Sequence, residues 1–385
     1  MAISTKQRFY ILVLIVAISG FSQGMLLPLI SIIFEQDGIN ATLNGLSATG
    51  LYIGTLLISP FMEAPLRKWG YKPIILAGGI LVIVSLALFP LWKSVIFWFI
   101  LRLFIGIGDH ALHFSTQTWI TSTSDPSRLG KNIALYGLSF GLGFAIGPLL
   151  VPLVSVHEGL PFVVSSAMCF LAWIFVFLLK NDFPETYTTR TLSSAGRFKA
   201  SFALAWVAFL PPLSYGFLES SLHAIFPVYS LRQGIEVANV SVILAAFSIG
   251  GVVSQLPLGI LSDKFGRRPM LIVLLTGGAL SFFVGGIFES SVLAIIAAFF
   301  IAGIFVGSMF SLGIAYMTDL TPKALLPTGN LLCGIAFSVG SLTGPFAGGL
   351  FLQFTSSISY LWLVSGLLTV IMLTIALRKP VALNE

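Results

Sequence analysis

Apolar runs of about 20 residues recur from one end of this chain to the other, and each has the length that a bilayer-crossing helix requires. Twelve are legible, with cores at 9–33, 43–62, 74–91, 95–119, 132–154, 161–179, 202–229, 239–261, 270–288, 292–317, 328–352 and 357–377. Lipid offers no hydrogen bonds to an open backbone, so such runs fold as helices that satisfy their own N–H and C=O groups. Only 9% of the residues are charged, against roughly 25% in an average soluble domain, which excludes a string of soluble domains. The expected fold class is therefore an all-α membrane protein with twelve transmembrane helices. The first run has no small-residue cleavage site followed by a polar mature region, and it is read as a retained span. Cys169 and Cys333 lie in separate apolar runs and give neither a disulfide framework nor a metal-ligand spacing. No metal and no cofactor is expected; both thiols are expected to pack between helices.

The net charge of +6 records topology. With an even number of spans, seventeen of the twenty Lys and Arg fall on one side, Lys93 and Arg232 fall on the other, and Arg102 lies inside a span. The positive-inside rule then places both termini in the cytoplasm of a multi-pass plasma-membrane protein. Nucleic acid is not an expected partner.

Between the sixth and seventh runs lies KNDFPETYTTRTLSSAGRFK, the longest polar segment, read as a cytoplasmic linker over 180–199. It divides the chain into six-helix bundles at 1–179 and 200–385, and the two halves carry a weak internal repeat. RKWGYKPIILAGG after the second run answers to DKFGRRPMLIVLLTGG after the eighth, and SFGLGFAIGP in the fifth answers to FSVGSLTGP in the eleventh. Two pseudo-symmetric halves of this kind suggest a transporter that works around a central site.

On these motifs the chain resembles the major facilitator superfamily over essentially its whole length. GILSDKFGRR, Gly259 to Arg268, reads as that family's G-x-L-x-D-x-x-G-R-R/K loop. Gly259 is expected to allow close helix approach, Asp263 to offer a charge to a helix N-terminus, and Gly266 to permit a tight turn. Arg267 and Arg268 are expected to hold the loop at the surface, so that the whole acts as a conformational latch. The matching stretch in the first half, EAPLRKWGYK, has Glu63 and Arg67 where the pattern has Gly and Asp, and a Glu63–Arg67 pair one helical turn apart is expected instead. In the fifth run Gly143, Gly147 and Pro148 match part of the family's antiporter-associated motif, while Ala134 and Val151-Pro152 depart from it; the eleventh run carries Gly340, Gly344, Pro345, Gly348 and Gly349. Glycines four apart permit close helix contact, and an interior proline loosens the hydrogen-bond ladder.

The fourth run contains RLFIGIGDHALHF. At 100° per residue Arg102, Asp109 and His113 fall within about 40° of one another, whereas His110 lies about 80° from Arg102. A charge at the bilayer centre costs roughly 2.5–3.5 kcal/mol on insertion scales, so this stripe should face protein or water. The resemblance matches Arg102 and Gly106 to the family's R-x-x-x-G motif and implies a part in proton coupling. Three roles stay open for Asp109: carrying a proton, binding a substrate, or forming an ion pair with Arg102. His110 has no assigned role. In the seventh run Glu219 and His223 lie four apart on one face. The resemblance implies that spans one, four, seven and ten line a central cavity, to which Gln23, Gln117, Tyr215 and Tyr316 would add polar groups.

GFSQG, Gly20 to Gly24, matches G-x-S-x-G of serine hydrolases, but that motif needs a strand-to-helix elbow and this one sits inside an apolar run. Walker A, H-E-x-x-H and paired C-x-x-C motifs are absent from the sequence, and no enzyme is expected. The resemblance implies a monomeric secondary active transporter working by alternating access. Proton-coupled efflux of a small, amphipathic molecule is the leading expectation. The alternatives are a proton symporter that takes up a nutrient or metal chelate, and a transporter-like sensor that does not transport.

Overall fold

The computed structural model describes residues 4–123, 129–183, 194–322, 325–355 and 358–378. Among them, twelve helical segments are long and apolar enough to cross a membrane: Thr5–Gln36, Ala41–Phe61, Tyr71–Leu91, Val95–Ile120, Leu135–Ser155, Leu160–Leu178, Gly196–Ala224, Val237–Phe265, Arg267–Ile287, Val292–Leu320, Thr328–Phe354 and Tyr360–Leu377. These are spans 1 to 12 below. No strand occurs among the described residues. Large apolar side chains such as Val253, Leu256, Ile260 and Leu293 stand exposed on span surfaces, as a chain solvated by lipid tails allows.

Local sequence sets the ends of the spans. Ser4 and Gln7 form a capping box at the start of span 1, and Ser291 and Ser359 accept backbone N–H groups at the starts of spans 10 and 12, satisfying donors that a helix leaves over. Between spans 2 and 3, and again between spans 8 and 9, the chain reverses through glycines with φ of +80° and +88°, Gly70 and Gly266. Only glycine takes that conformation without strain, and the two stand at equivalent places in the repeat.

Prolines act unequally. In span 5 the α-helix changes to a 3-10 helix at Gly147–Ser155, beginning at Gly147-Pro148, where the ring removes an N–H from the ladder. Pro345 sits inside an unbroken helix, Leu326–Phe354. The seventh run departs from the expected single stretch over 202–229. Its first helix begins at Ser194, within the last residues of the expected linker; a 3-10 turn follows at Trp206–Phe209, and the second helix ends at Ala224. Phe226–Arg232 forms a separate short helix, because Pro227 cannot continue the ladder of the helix before it.

Two compact units emerge, Met1–Ile39 with Leu46–Tyr187 and Asn40–Gly45 with Thr188–Glu385. In the first, spans 1 and 5 meet backbone to backbone: a Cβ on Gly20 or Gly24 would run into the Phe140 or Phe144 carbonyl, and one on Gly143 or Gly147 into Ala17 or Phe21. In the second, spans 7 and 11 repeat the device through Gly216, Gly340 and Gly344 against Phe337, Leu213 and Phe217. Gly20 and Gly24 of the GFSQG stretch are thus packing residues. At the end of the first unit away from its basic loops, Lys93 joins Asp37 at 2.7 Å and Glu158 at 2.9 Å. Partial burial lowers the Lys93 pKa, but the hydrogen bonds and charges of the two acids more than offset this and leave it raised.

Candidate proton and substrate site

Span 4 presents its polar groups to two different neighbours. Asp109, 4% exposed, accepts a hydrogen bond from Ser19 Oγ of span 1 at 2.7 Å. The same Ser19 oxygen lies 3.1 Å from His113 Nε2, and His113 Nδ1 lies 2.8 Å from the Tyr136 hydroxyl of span 5. Gln23, one turn along span 1 from Ser19, stands beside the Asp109 carboxyl. Asp109 and His113 are therefore brought together as expected, but through a serine that the sequence pattern did not single out. The Phe140 ring closes edge-on over His113 at 5.0 Å. His110 points off this cluster and lies against Phe114, with ring centroids 6.2 Å apart.

Arg102 does not join them. It is fully buried and donates from Nη1 to Ser47 Oγ of span 2 at 3.0 Å, with Tyr52 nearby. Four residues on, Gly106 packs against the Leu51 carbonyl of the same span, where a side chain would clash. The R-x-x-x-G spacing thus has a local reason: the glycine lets span 2 approach closely enough for the arginine one turn away to reach it. The expected ion-pair alternative for Arg102 and Asp109 is corrected, since among the described residues neither forms a salt bridge. Seven residues place them about 10.5 Å apart along the axis, and a crossing neighbour meets the same helix face only over a short length.

In span 7, Glu219 is half-buried and the Tyr215 side chain adjoins its carboxyl. His223 is buried, and its Nδ1 lies 2.7 Å from the Glu219 backbone carbonyl. A carbonyl only accepts, so this nitrogen donates to the backbone of Glu219. Helical spacing puts the two residues on one face, and there the ring takes the i−4 backbone carbonyl as a partner. Gln117 is exposed on span 4. Tyr316 is buried near Arg268, Asp319 and Arg378, which places it with the basic-loop charges.

Those charges form two related but unequal ties. Arg267 reaches Asp263 at 2.9 Å with Nη2 and Asp319 at 2.8 Å with Nη1, joining the ends of spans 8 and 10. Asp263 thus acts through Arg267, in the first turn of span 9. Arg268 donates to the carbonyls of Ile375, Ala376 and Arg378 at 3.2, 2.9 and 2.8 Å, capping span 12. Gly259 has open space where its Cβ would be, so the expected close helix approach does not occur there.

In the first unit Lys72 occupies the Arg268 position and caps span 6 through the carbonyls of Phe177 and Leu179 at 2.9 and 2.7 Å. The acid comes from beyond span 6: Asp182 accepts from Arg8 at 3.4 Å and from Trp119 Nε1 at 3.3 Å, while its backbone carbonyl accepts the Tyr71 N–H at 3.0 Å. The expected Glu63–Arg67 pair rests on Glu63, whose side chain lies outside the described residues. Loss of the caps should be measurable. Arg268→Ala strands three carbonyls at a helix end and is expected to lower stability by about 1–3 kcal/mol, read as a fall in the thermal midpoint of detergent-purified protein. Lys72→Ala should act in the same direction with a smaller shift, having one fewer carbonyl to strand.

The Major Facilitator Superfamily model matches residues 12–236 and 200–384. The chain belongs to the major facilitator superfamily. It is 58% identical to the uncharacterized MFS-type transporter YfkF of Bacillus subtilis (strain 168) over 98% of this chain and 96% of that protein. It is 24% identical to the uncharacterized MFS-type transporter YcaD of Escherichia fergusonii, over 82% and 81% of the two chains. Its fold is that of the nucleoside transporter NupG, solved in a mutant form, with a TM-score of 0.79 at 12% identity over 96% of this chain and 99% of that one. A bacterial homolog of the human lysosomal transporter Spinster, solved in an inward-facing and unoccupied conformation, gives 0.69 at 16% identity over 96% and 94%. The protein is thus a multi-pass membrane transporter of this superfamily.

Within the superfamily frame, the residues that motif reading overlooked are Ser19, Ser47, Tyr136 and Asp182. The first three are neutral and sit in apolar runs, where a hydroxyl raises no composition signal. Asp182 lies just beyond span 6, within the first unit but far in sequence from the loop it serves. Its signal was available in one respect: the first-half loop lacks the acid of its counterpart, which implies a substitute from elsewhere.

Proposed function

We propose that this superfamily member exports a small, amphipathic molecule in exchange for protons by alternating access, with both termini in the cytoplasm. One observation carries the reading: two carboxyl groups, Asp109 and Glu219, lie inside membrane spans, and among the described residues neither has a cationic partner. An ionised carboxylate there is costly unless paired, and taking up a proton relieves the cost. Such acids are suited to load and release a proton as their surroundings change. The hydroxyls of Ser19 and Tyr215 orient them. The export direction draws support from Gly143, Gly147 and Pro148, which fit the span pattern associated with antiport and mark the change from α to 3-10 helix in span 5.

A thermal-shift screen of the purified protein against drugs, sugars, amino acids, nucleosides, lipids and metal chelates supplies the compound for the test. Everted vesicles energised to an acid interior should then accumulate that compound, and an uncoupler should abolish the accumulation. Efflux of preloaded compound with the outgoing protons would replace this reading by uptake through symport. Movement insensitive to the proton gradient would remove proton coupling altogether.

A further inference from the structure

The contacts around Asp109 have a direction. Ser19 donates its single hydroxyl proton to Asp109 Oδ1, so toward His113 the same oxygen can only accept, and His113 Nε2 carries a proton. A neutral imidazole has one N–H, which leaves Nδ1 as the acceptor for the Tyr136 hydroxyl. The result is a chain of three hydrogen bonds, Tyr136 to His113 to Ser19 to Asp109, at 2.8, 3.1 and 2.7 Å, with every donor aimed at the carboxylate. It also has a second satisfied arrangement. When the Tyr136 hydroxyl turns away from Nδ1, the His113 backbone carbonyl lies 3.3 Å from it, and Nδ1 is then free to donate to the phenol oxygen.

The chain runs lengthwise. Tyr136 lies about two turns into the helix that opens span 5, which begins at Leu129, in the half nearer the basic segment that holds Arg128 and Lys131. Asp109 lies near the middle of span 4. The groups facing Asp109 are Ser19 and Gln23 from span 1 and Cys169 from span 6, with His110 close to His113 on span 4 itself; none is a fixed cation. The carboxyl also borders a narrow, largely apolar cavity between spans 1, 3, 4 and 6 with a free volume of ≈ 20 Å³, room for about one water molecule.

We propose that Tyr136, His113 and Ser19 form a proton relay, contained within the first six-span unit, that connects Asp109 to the membrane face bearing the basic loops. The inference rests on the exchanger reading for its purpose. In loading, a proton arrives at the Tyr136 oxygen and the phenol proton passes to His113 Nδ1. The Nε2 proton passes to Ser19 Oγ, and the Ser19 proton passes to Asp109 Oδ1. The carboxylate becomes a carboxylic acid, each relay member keeps its proton count, and all three hydrogen bonds reverse. Release to the basic-loop face, the direction in which the exchanger uses the relay, is the same sequence backwards. Ser19 and Tyr136 are positioning and relay residues, and Asp109 holds the proton.

The test needs no substrate. Full-length protein in nanodiscs is subjected to a pH jump, and protonation of Asp109 is followed through its infrared carboxyl band, identified by its loss in Asp109→Asn. Ser19→Ala should slow the band's appearance by on the order of 100-fold, the scale of losing a positioned proton-transfer group. Ser19→Thr, whose extra methyl has the neighbouring cavity to enter, should restore a rate close to the parent's. Tyr136→Phe should slow the step as well, and it carries the test if Ser19→Ala does not fold. A parental rate in Ser19→Ala or in Tyr136→Phe overturns the relay, as does a band that ignores the pH jump. Those outcomes leave the vesicle experiment untouched, so the relay and the exchange reaction fail separately.

Discussion

An Asp109→Asn, Glu219→Gln double variant is expected to lose gradient-driven accumulation of the exported compound by on the order of 100-fold while keeping its fold. The amides have nearly the size of the acids, and the asparagine would still offer an oxygen to Ser19 Oγ, so the hydrogen bond between spans 1 and 4 survives. What disappears is the ability to take up and release a proton within the membrane. Counterflow, the exchange of labelled for unlabelled compound with no proton gradient, should persist, because it needs only binding and the conformational change. The two measurements together separate coupling from folding: loss of both would indicate a damaged site. Normal accumulation by the double variant would end the proposal that these acids couple transport to protons. Of the single variants, Asp109→Asn should have the larger effect, since its carboxyl has the relay beside it and is the more deeply buried.

Replacing Gly143 by alanine should cost about 1–3 kcal/mol, and by valine more, seen as a lower thermal midpoint and a reduced yield of folded protein. A Cβ at Gly143 would overlap the Ala17 carbonyl oxygen. Backbone cannot rotate away as the tip of a side chain can, so spans 1 and 5 must separate. Those two spans carry Ser19 and Tyr136, and separation by even a fraction of an ångström stretches the contacts of 3.1 and 2.8 Å on either side of His113. Gly143→Ala should therefore also slow proton arrival at Asp109. Gly137→Ala is the control. It lies in the same helix, exposed, with open space where its Cβ would go, and alanine is the better helix former. It should leave both stability and proton arrival close to the parent.

These expectations rest on features that were legible to different degrees. That span 5 makes a close helix contact was readable in Gly143 and Gly147, because only a residue without a side chain permits it, whereas its partner, span 1, was not. The turn at Gly266 was readable for a similar reason, and its positive φ is what the motif position demands. The cap on span 12 was half readable: two arginines marked a surface loop, but their tasks differ, one joining acids across helix ends and the other binding carbonyls. The central stripe of span 4 misled in a specific way. A helical wheel gives the direction of a side chain around its axis and says nothing about which neighbour crosses at that height. Arg102 and Asp109 share a direction, yet one reaches span 2 and the other span 1. For His223 the wheel gave the face and left the partner open, since a histidine one turn after an acid has the acid's backbone carbonyl within reach.

The sequence by itself determined the twelve spans, the two related halves and the basic face, because run length, repetition and loop charge are properties of the chain read locally. It also determined that Arg102, Asp109 and Glu219 must be sheltered, since lipid cannot solvate them. Only the tertiary structure decided their company. Ser19, Ser47 and Tyr136 are ordinary hydroxyls until helix crossing brings them within hydrogen-bonding distance of a buried ionisable group. Hydrogen bonds depend on tenths of an ångström and on the level at which two helices meet, and neither is written in the apolar pattern that builds the helices.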